Sequence, residues 1–106
     1  MIVTGWSNGA PNNSAGAGYG IRITKEDRDK HFQKEWSSVS IYLDNGTVLD
    51  VTLTPSFWKR CHELRNSGIG QWLLDNELAP WPRGKPPKLK LQLTKKRIFR
   101  LDISRA

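Results

Sequence analysis

A chain of 106 residues with 37% hydrophobic and 25% charged side chains is sized for a single domain, residues 1–106, and is too apolar to stay disordered. Its formal charge of +7 points to a polyanionic partner. No apolar run is long enough to span a bilayer and no basic-then-apolar leader opens the chain. The lone Cys61 excludes an internal disulfide, so a reducing, cytoplasmic setting is expected, without a membrane partner.

The charge is unevenly placed. From Arg83 onward stand nine Lys or Arg residues against one acid, Asp102, a net of +8. The 82 residues before Arg83 hold eight basic and nine acidic side chains, a net of −1.

Met1 to Trp6 reads as a strand, since Ile2, Val3, Thr4 and Trp6 favour extended backbone. Ser7 to Ala17 is a loop, rich in Asn, Gly, Ser and Pro. Tyr19, Ile21 and Ile23 then alternate with Gly20, Arg22 and Thr24, giving a second strand with one apolar face and a hairpin with a long connection. Gly16, Gly18 and Gly20 do not make a dinucleotide fingerprint, which requires a strand before it and a helix after it; they are read as places of close backbone approach. The run Gly16-Ala17-Gly18-Tyr19-Gly20-Ile21-Arg22-Ile23 resembles the opening hairpin of a ribonuclease H domain. That family carries a metal-binding Asp on its first strand, and here no acid precedes Glu26, so membership is not assigned.

Thr24 to Lys34 is dense in charge of both signs, with Phe32 the one residue to bury. A short helix capped by Thr24, with Glu26 and Asp27 in its first turn, is the alternative, and a solvated turn or a single helical turn is the preferred reading. Ser38 to Thr54 is a hairpin around Asp44-Asn45-Gly46. A three-residue loop pairs Leu43 with Thr47, Ile41 with Leu49 and Val39 with Val51, which collects the apolar residues on one face. Thr54-Pro55 opens a helix running to Asn66, with Phe57, Cys61 and Leu64 on its inner stripe. A second short helix covers about Ile69 to Glu77 and stops at Pro80. Pro80 to Pro87 is a stiff connector. The last hairpin sets Leu93 against Phe99, Leu91 against Leu101 and Leu89 against Ile103, around a loop of Lys95-Lys96-Arg97, with Lys90 opposite Asp102. The expected fold is α+β: a small, mainly antiparallel sheet or partly open barrel of about six strands in three hairpins, with two short helices between the second and third.

Candidate chemistry is sparse. His31, Cys61 and His62 match no zinc spacing. Asp27, Asp29 and Glu35 suggest a metal-dependent nuclease in principle, but Lys25, Arg28 and Lys30 are interleaved with them, so they read as self-neutralising charge. No catalytic residue, metal or cofactor is assigned. A helix-turn-helix with a basic wing fails on charge, because its reading helix carries Asp75 and Glu77 and no cation. The basic end remains. Arg83, Lys85, Lys88, Lys90, Lys95, Lys96, Arg97 and Arg100 are read as phosphate contacts, and Trp81 as a surface for an unpaired base. The reading is a non-enzymatic nucleic-acid-binding module, on RNA or single-stranded DNA before duplex. The alternative is a protein-interaction factor, an inhibitor or accessory subunit, whose basic hairpin docks on an acidic protein surface.

Overall fold

The computed structural model describes residues 1–104. Seven strands form one sheet: β1 (Ile2–Ser7), β2 (Tyr19–Arg22), β3 (Ser38–Leu43), β4 (Val48–Thr52), β5 (Glu63–Arg65), β6 (Lys88–Lys95) and β7 (Ile98–Ile103). Three short helices interrupt them: α1 (Lys25–His31), α2 (Pro55–Lys59) and α3 (Ser67–Asp75). The strand order is β4-β3-β7-β6-β1-β2-β5, antiparallel throughout except where β3 runs parallel to β7. The two edges, β4 and β5, come into contact, so the sheet curls into a nearly closed barrel. No helix among the described residues is long and apolar enough to cross a membrane.

All three expected hairpins form. Leu43 donates its N–H to the Thr47 carbonyl at 2.8 Å, Ile41 pairs with Leu49 and Val39 with Val51, and Gly46 takes φ 88°, the left-handed geometry that the three-residue loop requires. In the last hairpin the pairs Leu89–Ile103, Leu91–Leu101 and Leu93–Phe99 all hold. Its turn differs from expectation. Lys95 pairs with Ile98, only Lys96 and Arg97 form the turn, and a bulge near Thr94 absorbs the extra residue. Arg97 takes φ 62°, a strained value for a residue with a side chain.

The inner face is dry. Ile21, Ile41, Leu89, Leu91, Phe99 and Leu101 have no exposed surface at all. The Phe32 ring stacks on Phe99 at 4.7 Å between centroids and lies 5.3 Å from Phe57. At the other side α3 buries Ile69, Trp72 and Leu73, and its N-terminal end touches the edge strand β4 and the next-to-edge strand β2. Asn66 donates to the Tyr19 carbonyl on β2, and Gly68 lies against Leu49 on β4.

Two expectations fail. The helix from Pro55 does not reach Asn66; it ends at Lys59, and Glu63–Arg65 become strand β5 beside β2. The cause is tertiary. The edge of β2 needs partners for its backbone groups, and Leu64 reaches the core from a strand as well as from a helix. Gly20 permits this pairing, because a Cβ there would strike the Leu64 carbonyl. Asn66, expected to end a helix, instead starts α3 by accepting from the Gly68 N–H at 2.7 Å. The second failure is Thr24 to Lys34, where the preferred solvated turn or single helical turn gives way to the alternative, a seven-residue helix capped by Thr24. Its buried member besides the neighbouring Phe32 is Arg28, only 5% exposed.

Candidate nucleic-acid interface

Alternation along β6 decides where its cations go. Leu89 and Leu91 point inward and are fully buried, so Lys88 and Lys90 project from the outer face. Across the sheet Lys88 registers with Thr4, and Thr4 with Arg22. Two strand spacings put Lys88 and Arg22 about 10 Å apart. On β7, Arg100 registers with Gln92 of β6 and Tyr42 of β3.

The other cations lie at the two ends of β6. Arg83 and Lys85 sit in a turn closed by the Lys85 N–H on the Pro82 carbonyl at 2.9 Å, with Gly84 at φ 77°. The Gly5 N–H donates to the Pro87 carbonyl at 2.9 Å, which docks the proline segment alongside β1 as a prolongation of β6. Lys95, Lys96 and Arg97 stand at the opposite end, Lys95 as the last residue of β6 and the other two in the β6–β7 turn. At about 3.3 Å per residue, Lys96 is roughly 26 Å from Lys88. The basic residues therefore form a line along one strand, with Gln92 as its gap, and not a single compact patch.

Most of this line is free of neutralising acids. Among the described residues, Arg83, Lys85, Lys88, Lys90, Lys95, Lys96 and Arg97 have no carboxylate within ion-pair distance. Arg100 is the exception, bound to Asp102 at 3.1 Å. Lys90 does pair with Asp102 in register, yet the carboxylate turns to Arg100 on its own strand. Arg105 lies outside the described residues.

Trp81 does not stand clear of the body. It packs against the core, its ring tilted on Tyr19 at 5.6 Å between centroids and placed over the Cα of Gly5. Burial holds the Tyr19 hydroxyl above its ordinary pKa, and that hydroxyl donates to the Asn13 side chain.

Three outer-face residues escaped the sequence reading. Arg22 was legible as the polar position of an alternating strand, but its nearness to Lys88 required the β1–β2–β6 order. Arg65 was hidden inside the expected helix. On β5 it comes to lie over the Trp6 ring, 4.9 Å from the centroid, and pairs with Glu63 at 3.5 Å. Tyr42 sits on the outer face of β3 and is 45% exposed.

The acids Asp27, Asp29 and Glu35 do not converge, and no cluster of three metal-ligating side chains exists among the described residues. Asp29 is held below the usual carboxylate range, first by hydrogen bonds from Arg28, which outweigh the opposing effect of burial, and then by neighbouring positive charge. The helix-turn-helix is also gone, since α2 is five residues long and is separated from α3 by β5. Comparison with family profiles, with curated proteins and with solved structures gave no match.

Proposed function

We propose that this chain is a non-enzymatic nucleic-acid-binding module that lays a phosphate backbone along β6. The observation that carries the reading is the line of seven cations from Arg83 to Arg97 without carboxylate partners, along and at the ends of a strand that buries Leu89 and Leu91 on its opposite side. A solvated charge in a mixed surface normally has acids beside it, as in α1. Here none of the seven has an acid for an ion-pair partner over some 26 Å, Asp102 opposite Lys90 being taken by Arg100, and cations so placed repel one another until an anion arrives.

Single strands suit this surface better than duplex. The longest helix, α3, carries no cation to bring into a major groove. Cations on a curved strand contact a flexible backbone, which adapts to them. The lone Cys61, half-buried and reduced, fits a cytoplasmic location.

The test is fluorescence anisotropy with labelled single-stranded RNA, single-stranded DNA and matched duplexes across a salt series. About five phosphate contacts on a single strand give a log–log salt slope of roughly −3.5. Absence of binding to every oligonucleotide at low salt would overturn the proposal. A second reading, docking on an acidic protein surface, draws on the exposed apolar side chains Ile2, Val48 and Leu93, which stand among the cations. Capture of one acidic protein without oligonucleotide binding decides for that reading.

A further inference from the structure

We infer that Tyr42 is the platform on which an unpaired base of the bound strand stacks, with the flanking phosphates held by Lys95 and Arg100. The inference rests on the nucleic-acid reading above and assigns it a base-contacting residue.

Tyr42 lies in the interior of the sheet, between Val48 of β4 and Arg100 of β7, and yet 45% of its surface is open. Its neighbours on the same face of β3 are Ser38 and Ser40, too small to cover a ring. The other aromatic rings near the surface are engaged. Trp81 lies on Tyr19, Trp6 lies under the Arg65 guanidinium, and Trp58 lies against Phe57 and Arg28. Tyr42 is the aromatic among the large hydrophobic side chains left exposed in the described residues.

The ring stands in a groove of about 470 Å³, a size that suits a small ligand or one unit of a longer one. Tyr42 and Ile98 give the groove an apolar part, and Lys95 and Arg100 give it a cationic part. A wholly apolar ligand would leave Lys95 without a partner, Arg100 being already paired with Asp102, and a bare anion would leave the ring in water. A nucleotide unit, a flat ring joined to a phosphate, uses both. The register also orients it. Ile98 aligns with Ser40 and Leu101 with Leu43, so the Lys95–Arg97 turn and the acid Asp44 lie at opposite ends of the groove. Asp44 is held by the Trp72 indole N–H at 2.8 Å and repels phosphate from its end. The backbone therefore passes on the side of the basic turn.

The experiment compares two labelled single strands of equal length, one with bases and one built of abasic sites, on the wild-type protein and on Tyr42→Ala, Tyr42→Leu and Tyr42→Phe. Tyr42→Ala and Tyr42→Leu are expected to bind the base-containing strand about tenfold more weakly, with an unchanged salt slope. Tyr42→Phe is expected to bind like the wild type, and the abasic strand to be held equally by all four. Tyr42→Leu keeps an apolar side chain in the strand, so it carries the test if the alanine variant does not fold. Wild-type affinity in a folded Tyr42→Leu overturns this inference and leaves the nucleic-acid reading standing. Failure of the wild-type protein to bind either strand overturns both.

Discussion

α1 and the β6–β7 hairpin are both dense in basic residues, and they place them in opposite ways. In α1 one cation, Arg28, turns to the core and takes an acid from its own helix. Arg28 is buried, donates to the carbonyls of Phe57 at 3.2 Å and Trp58 at 2.8 Å, and grips Asp29 at 2.7 Å. It thereby caps the last turn of α2 and ties two helices together. In the hairpin Leu89 and Leu91 take the inside, and the cations other than Arg100 are left outside without an acid partner. The same residue type is a structural bolt in one place and a candidate contact in the other. What separates the two is the partner set that the fold supplies, and not the composition of the segment.

Perturbing the two regions should therefore give opposite signatures. The largest effect is expected beneath the hairpin. Phe99→Ala removes a fully buried ring stacked on Phe32 and should cost about 4 kcal/mol, read by urea denaturation. Arg28→Ala leaves two helix-end carbonyls without a donor and should cost about 3 kcal/mol, with oligonucleotide affinity unchanged in whatever fraction folds. If Arg28→Ala is as stable as the wild type, the contrast between the regions collapses.

Reversing the turn gives the mirror result. Lys95→Glu, Lys96→Glu and Arg97→Glu together should weaken single-strand binding about 100-fold at low salt and flatten the salt slope by about 2. The melting temperature should move by only a few degrees, because all three side chains are exposed. Unchanged affinity removes the hairpin from the interface. Smaller still, Arg97→Gly relieves the residue at φ 62° and should gain about 0.5–1 kcal/mol in stability. Loss of stability would mean that the Arg97 side chain contributes more to the turn than its backbone angle costs.

The smallest effect is pH-dependent. The folded pKa of Asp29 lies below its ordinary value of 3.8, so the carboxylate binds protons more readily in the unfolded chain. Its stabilising contribution is present above that ordinary value and is lost as pH falls through the lower, folded one. Asp29→Asn should show a shallower acid limb in urea titrations below about pH 4. An identical limb would exclude Asp29 as a contributor.

The hairpins were legible because each has one face of period-two aliphatic residues, and a slip of one residue would turn that whole face to water. The pairs Ile41–Leu49 and Leu91–Leu101 follow from that alone. Residues 60–66 were not legible. Phe57, Cys61 and Leu64 satisfy a helical stripe, and nothing local reveals that β2 lacks an edge partner until the sheet is assembled. Arg28 was hidden for a similar reason, since a buried guanidinium is tolerable only beside carbonyls contributed from 29 and 30 residues away. Within the candidate site, the alternation showed that Lys88 and Lys90 point outward. It did not show Tyr42 beside Arg100, a neighbour relation made by the parallel β3–β7 pairing.

The sequence by itself determined three hairpins, a dry inner face and a basic C-terminal end, because period-two patterning and turn chemistry act over a few residues. The tertiary structure decided which cations go unanswered, which arginine is buried and which aromatic ring is left open. Those outcomes depend on strand order and edge closure, and each is set by residues far away in the chain meeting through space.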